Sequence, residues 1–433
     1  MYKNVTTEWA KTLPTGWKAV PLKRLLENGS MKVGPFGSQL SGNDFKNEGF
    51  WVYNQRAIVD ENFSDNTVFI DASKYNSMRA FHVHAGDILV TTRGTIGRIC
   101  QIPINYNEGI IHPCVIKFRL SGEEIPFSFL KHIFNESNIV KEQLLFLSNA
   151  TTIDVIYSGT LKDIKIPVPP RNVRKKISAF LDFQCSEIDA ISADIQKEIE
   201  TLEQYKRSVI TEAVTKGLNP DAEMKDSGIG YIGIIPNHWV VEKIKYHLKY
   251  RGNRNPGGVQ VLSVYREYGV IPKDSRDDNH NVTSEDTSNY RYVRVGDFVI
   301  NKMKAWQGSM AISDYEGIVS PAYYVYEFSD ENFDRKYFHY LLRNKMYATE
   351  FLRVSGGIRV GQWDLSAYDF ENTMAPMPPI DEQEKIAAFL DTKSTEIDSL
   401  IGEKKRQLEV LDSYKKSLIY EYVTGKKEVP VQN

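Results

Sequence analysis

The chain has 433 residues, 54 Lys and Arg against 56 Asp and Glu for a net charge of -2, and 41% apolar residues. At roughly 150 residues per domain this length calls for about three units with proper cores, and the composition excludes wholesale disorder. Near-neutrality supplies no global field for nucleic acid, so a DNA-binding surface has to be a local concentration of Lys and Arg or be completed by a partner.

The opening MYKNVTTEWAKTLPTGW lacks the apolar core of a secretory signal, and nowhere does a membrane-length apolar run follow, so a cytoplasmic location is expected. Cys100, Cys114 and Cys185 have neither metal-ligand nor redox spacing to one another. They are expected to be reduced, with no metal on this chain. Residues 1–168 read as a mixed sheet and helix domain. In VHAGDILVTTRGTIGR the alternation of Ile88 and Val90 after a Gly-Asp turn gives a strand, and PFSFLKHIFNESNIVKEQLLFL has helical spacing. His82 and His84 alternate on a strand and suit structural roles better than ligation.

At Pro169 a phrase begins, PPRNVRKKISAFLD, that returns at Pro378 as PPIDEQEKIAAFLD; the shift of 209 positions continues without a gap for nearly fifty residues. A Pro-Pro pair suits the start of a helix and not its interior. Helical segments are therefore expected over 169–216 and 378–425. In the first, Ile188, Ile191, Ile195, Ile199, Leu202, Tyr205 and Val209 form one apolar stripe; in the second, Ile397, Leu400, Leu408, Leu411, Tyr414 and Leu418 do so, with Lys404 interrupting. From Ser186 to Ala213 such a helix spans roughly 42 Å. A seam that long needs a partner along its length, so the two copies are expected to pair antiparallel as a coiled coil, helix-pairing residues being Ile188, Ile191, Ile195, Ile199, Leu202, Val209, Ile397, Leu400, Leu408, Leu411 and Leu418. Each helix capping only its own neighbouring domain is the alternative.

Between the helices, residues 217–377 begin with a Gly- and Pro-rich stretch that reads as a linker and continue as a second mixed domain; 426–433 form a tail. The second domain is a loose cousin of the first: IPNHWVVEKIKYHL answers LPTGWKAVPLKRLL, VRVGDFVINKMKAWQG answers the strand around Asp87, and GIVSPA answers GIIHPC. The fold class is thus α+β, two unlike sheet-helix domains and two like helices with pseudo-two-fold symmetry.

This organisation resembles the DNA-specificity subunits of type I restriction-modification systems over almost the whole chain, through the two PP…I.AFLD…EID regions, MKDSGIGYIGIIPNHW, the paired Gly-Asp strands and GQWDLSAY. The resemblance implies two target-recognition domains, each reading one part of a split, asymmetric site on double-stranded DNA. The helices would act as spacer and as platform for methyltransferase and restriction/translocase subunits. The spacer would exceed one turn of B-DNA, about 34–36 Å. S-adenosylmethionine, ATP and Mg would belong to those partners.

Catalytic motifs support a non-catalytic chain. Neither Pro-Pro pair is followed by the aromatic that an adenine methyltransferase uses to hold an extruded base, no phosphate-binding loop ends in Gly-Lys-Ser/Thr, and the carboxylates of PDAEMK sit too close for a nuclease site. DNA contacts are expected from polar residues on Gly-rich turns. In the first domain these are Lys32, Ser38, Gln39, Asn54, Arg56, Thr91, Thr92, Arg93 and Arg98. In the second they are Arg251, Asn253, Arg254, Tyr265, Arg266, Lys302, Lys304, Trp306, Gln307, Arg359, Gln362 and Trp363, the tryptophans being better core anchors than base stackers. For each single residue a purely structural or solvated role explains the type as well as contact does. Two other classes stay open: an enzyme with an unfamiliar site, and a coiled-coil scaffold whose ends bind proteins.

Overall fold

A computed structural model of the chain describes residues 8–65, 68–122, 125–148, 155–266, 268–275, 283–284, 286–329, 333–359 and 362–430. It has two compact units, residues 1–195 with 406–433, and residues 196–405.

In the first unit the strands are β1 (Lys18–Pro21), β2 (Lys32–Val33), β3 (Phe50–Tyr53), β4 (Phe69–Ile70), β5 (Ile88–Thr91), β6 (Ile99–Gln101), β7 (Gly109–Ile111), β8 (Val115–Phe118) and β9 (Lys165–Val168). β1 pairs with β9, the central sheet runs β2-β8-β5-β6, and a second sheet runs β4-β3-β7 with β3 parallel to β7. Successive side chains of β5 leave the sheet on opposite sides. Ile88 and Val90 join a core that includes the helical segment around Phe129 and Ile133, while Leu89 joins Trp51, Tyr53 and Ile111 of the other layer. Being covered on both faces explains why Ile88, Leu89 and Val90 are apolar in succession instead of alternating.

The second unit repeats this plan. Its strands are β10 (Met224–Asp226), β11 (Ile234–Pro236), β12 (Val240–Lys243), β13 (Leu248–Tyr250), β14 (Leu262–Tyr265), β15 (Gly269–Pro272), β16 (Arg291–Val293), β17 (Phe298–Asn301), β18 (Met310–Ile312), β19 (Gly317–Val319), β20 (Tyr323–Phe328), β21 (Gly356–Arg359), β22 (Gln362–Asp364) and β23 (Met374–Met377). β12 pairs with β23 as β1 does with β9, and the central sheet β13-β20-β17-β18 matches β2-β8-β5-β6. Phe298 and Ile300 face the helical core while Val299 faces the second layer.

The long helices span Arg171–Lys216 and Ile380–Val423, each beginning directly after its Pro-Pro pair. Each gives one half to each unit. In the first unit Ile177, Leu181, Cys185 and Ile188 of one helix share a core with Leu418, Ile419, Tyr422 and Val423 of the other. Phe180 and Tyr422 meet at 4.6 Å, and Lys415 Nζ donates to both carboxylate oxygens of Asp189 at 2.8 Å. In the second unit Lys206 reaches Asp398 at 2.6 Å and Lys404 reaches Glu198 at 2.5 Å. Within each unit the partner's number falls as the residue number rises, so both halves pair antiparallel. The shift of 209 turns Lys206–Asp398 into Lys415–Asp189, which is the pseudo-two-fold written in residues.

Three expectations are corrected. Ile191 and Leu400 are 50% and 47% exposed and lie outside the seam, as do Tyr205 and Tyr414. On a 3.6-residue helix the buried line from Leu181 through Cys185 and Ile188 next reaches Ser192, not Ile191, and in the second copy Ile401 is buried in place of Leu400. Lys404 does not break the stripe: its stem lies in it and its ammonium leaves to meet Glu198. The presumed linker is also ordered, since β10 and β11 form a hairpin, Ile232, Ile235 and Trp239 are core residues, and the Tyr231 hydroxyl bonds the Met374 backbone on both sides. Among the described residues, no helix is long and apolar enough to cross a membrane.

Candidate nucleic-acid interface

In the first unit the candidates gather at one end of β2, β3, β5 and β7. Asn54 ends β3 and caps a short helix, its side chain accepting from the Ala57 N–H at 3.2 Å; Arg56 on that helix is exposed and pairs loosely with Asp60. Gln55, overlooked in the sequence, pins the neighbouring turn. Oriented to satisfy both partners, its amide donates to the Arg93 carbonyl at 2.7 Å and accepts from the Thr95 N–H at 2.8 Å. Gly94, at φ 64°, lies so close that a Cβ would come within 2.7 Å of that amide. The result is a fixed turn with Arg93 exposed at its tip. Asn54, Gln55, Arg56, Thr95, His112 and Cys114 line an open cleft of about 450 Å³ beside it. Burial holds the His112 imidazole below its ordinary pKa, favouring a neutral ring there.

Other first-unit candidates serve the fold. Thr91 and Thr92 are buried; the Thr91 hydroxyl donates to the Thr95 carbonyl and accepts from the Arg98 N–H at 3.0 Å. Arg98 is half-buried and donates to the Asn135 carbonyl at 3.1 Å. Thr91 is spent on the turn and Arg98 on tying it to the Asn135 segment, uses that spacing does not reveal. Lys32 is exposed on β2, and Ser38 and Gln39 are exposed on the loop after it.

In the second unit the structure brings Lys302, Lys304, Trp306, Gln307 and Trp363 together. The Trp306 and Trp363 rings meet edge to face at 4.9 Å, and Lys302 binds Asp364 at 2.9 Å, tying the turn after β17 to β22. Lys304 and Gln307 are exposed, while Lys302, Trp306 and Trp363 are half-buried. The side chains of Arg359 and Gln362 lie outside the described residues. Asn253, Arg254 and Arg266 are exposed and Tyr265 is half-buried. Arg251 belongs inside: its side chain is 11% exposed, 3.1 Å from Asp297 and 2.5 Å from Glu327. Arg291, another residue the sequence reading missed, has its guanidinium 5.5 Å from the Tyr250 ring and 5.2 Å from the Tyr324 ring, a cation between two aromatics on this surface. Alternation of Tyr with Tyr across β13 and β20 is the signal that points to it.

The paired Gly-Asp motifs prove to be scaffolding. Asp87 is buried, accepts from the His84 N–H at 3.0 Å and meets Lys117 at 3.1 Å and Arg119 at 2.5 Å. Asp297 accepts from the Arg294 N–H at 2.8 Å in the same way. Burial raises the Asp297 pKa despite that N–H and Arg251. Among the described residues one mixed-donor group converges, His132, Glu136 and Cys185, with ligand atoms within 4.8 Å of one another. Both ring nitrogens of His132 are already engaged, by Glu136 at 3.0 Å and Asp182 at 2.8 Å, and Lys415 lies 3.7 Å from Glu136. An ammonium beside the half-buried Glu136 carboxylate opposes a cation, so these groups form a charge network that closes the helix seam.

The model of the type I restriction modification DNA specificity domain matches residues 14–201 and 249–410. The chain is similar to a putative type I restriction enzyme MjaX specificity subunit of Methanocaldococcus jannaschii, 25% identical over 83% of either chain. It is also similar to the type I restriction enzyme EcoKI specificity subunit of Escherichia coli, 23% identical over 46% of this chain and 40% of that one. In fold it resembles a solved chain of a type I R-M system (TM-score 0.69, 15% identity, covering 96% of this chain and 99% of that one). The HsdS subunit from Thermoanaerobacter tengcongensis is a further match (TM-score 0.51, 16% identity, 96% and 98%).

Proposed function

Because the chain belongs to the type I restriction modification DNA specificity family, we propose that it is the non-catalytic reader of a type I complex, recognising an asymmetric two-part site on double-stranded DNA. The observation that carries this is the combination of like frames with unlike surfaces: matching central sheets and helix halves present a cleft flanked by Arg56 and Arg93 in one unit and a Lys304, Trp306 and Arg291 surface in the other. Two different surfaces read two different half-sites.

The long helices set the spacing and receive the partners. Two pairs of their exposed apolar residues obey the repeat, Ile191 with Leu400 and Tyr205 with Tyr414, so two equivalent faces await two copies of one methyltransferase subunit. Restriction/translocase subunits join where the system has them. S-adenosylmethionine, ATP and Mg act on those subunits, whose surfaces also supply the basic charge this chain lacks.

Footprinting with and without the methyltransferase subunit is the test. Two protected patches separated by unprotected base pairs are expected, and mapping methylated adenines then gives the site. Protection without sequence preference would favour a protein-binding scaffold, and cleavage or methylation by the purified chain alone would favour an enzyme.

A further inference from the structure

Resting on the DNA-reading function above, we propose that Phe36 is a stacking wedge, an aromatic ring held out from the first unit to lie against an unstacked base of the half-site that unit reads. Phe36 is 74% exposed, yet its backbone is fixed. Its N–H donates to Gln39 Oε1 at 3.1 Å, and its carbonyl accepts from the Gln39 and Leu40 N–H groups at 2.8 and 3.1 Å. Leu40 anchors the far end in the core at 3% exposure, and the Gly34 N–H donates to the Val115 carbonyl at 2.8 Å. At Gly34 a Cβ would stand 2.1 Å from the His112 carbonyl oxygen, so glycine is what lets the loop seat on that turn.

This placement matters because His112 also lines the cleft with Asn54, Gln55 and Arg56, and Gln55 fixes the turn that exposes Arg93. The ring therefore stands on a loop that borders the polar cleft, with Lys32 and Ser38 exposed on its own segment. An apolar ring in water is unfavourable, and a rigid turn that holds it there forgoes the burial a looser loop would find. A base face relieves that exposure. Stacking is tolerant of base identity, and apolar wedges between base steps kink a duplex by roughly 20–90°, so the ring supplies distortion while neighbouring polar groups supply sequence.

The second unit has no counterpart of this ring on the corresponding loop. After β13, which holds the sheet edge that β2 holds in the first, the chain runs RGNRNPGG with no aromatic residue. Distortion beyond the extrusion of the target adenines should therefore occur at one half-site only.

The test uses the full chain assembled with its methyltransferase subunit and a duplex carrying the mapped site, with 2-aminopurine placed in turn at positions of each half-site away from the methylated adenines, which the methyltransferase subunit itself extrudes. Wild type should raise 2-aminopurine fluorescence at one half-site. Phe36→Ala should abolish that rise and weaken binding roughly tenfold, while Phe36→Leu retains most of both. The urea midpoint of Phe36→Ala should match wild type, since the ring is exposed. Unchanged fluorescence and affinity in Phe36→Ala would overturn the wedge, as would loss of subunit assembly with DNA distortion intact. Protection of both half-sites by wild type with no fluorescence rise would remove the wedge and leave the DNA reader standing. Protection of neither would remove both.

Discussion

The two units lay different second layers over the same central sheet. In the first, β3 and β7 run parallel beside β4; in the second, the β14–β15 and β16–β19 antiparallel pairs occupy the corresponding face. Beneath them the frame barely changes. Phe129 and Phe338 are fully buried 209 positions apart, and Asp182 and Asp391, also 209 apart, receive bonds from His132 in one unit and from Lys336 and Tyr340 in the other. Residues that fix a helix against a sheet are held by packing on several sides, whereas the outer layer answers only to its ligand. The difference teaches that divergence is concentrated where the core does not constrain it.

The sharpest way to break this parallel is at the buried aspartates. Asp87→Ala strands Lys117, whose side chain is 11% exposed, and should cost about 3–5 kcal/mol by urea unfolding. Asp297→Ala should cost less, about 2 kcal/mol, because Arg251 keeps Glu327. Equal losses would contradict the difference in their surroundings. Tyr337→Phe removes a buried hydroxyl aimed at the Val214 and Pro376 carbonyls and should cost about 1 kcal/mol in the second unit, with hydrogen exchange in the first unchanged.

Acid should weaken both frames in the same sense. Burial pushes the Glu136 carboxyl up, but the His132 bond and charge and Lys415 outweigh it, leaving its pKa below the ordinary value; Lys336 and Tyr340 do the same for Asp391. Depressed carboxylates stabilise the fold above about pH 4 and lose that contribution as pH falls through their folded values. Glu136→Gln should flatten the acid limb of stability measured against pH, and an unaltered limb would discard this network as its source. Lys206→Ala, at an exposed pair, should cost only about 0.5 kcal/mol. Lys304→Ala should leave stability alone and lower the salt dependence of DNA binding by about one ion; an unchanged slope removes Lys304 from the interface.

The long helices are legible in the sequence because the 209-residue repeat and the Pro-Pro pairs mark them, and a stripe of Ile and Leu gives their shared face. The rotation of that face is less legible. Hydrophobicity alone favours Ile191 over Ser192, yet Ser192 follows the buried line and bonds the Ile188 carbonyl at 2.8 Å. At the candidate interface, residue type does not separate Arg93, which is exposed, from Arg251, which is committed to two carboxylates distant in sequence. Gln55 escapes notice for the same reason, since its partners are backbone groups of a turn nearly forty residues away.

The first unit takes its last core residues, Leu418 to Val423, from beyond the whole of the second. During synthesis the head that emerges earliest must wait for more than two hundred further residues, on the order of 10–40 s at ribosomal speed. The second unit, an unbroken stretch of chain that ends at Lys405, has everything it needs shortly before Leu418 is made. Birth order and completion order are therefore reversed, and the nascent first head carries an unfilled groove that only the final helix closes.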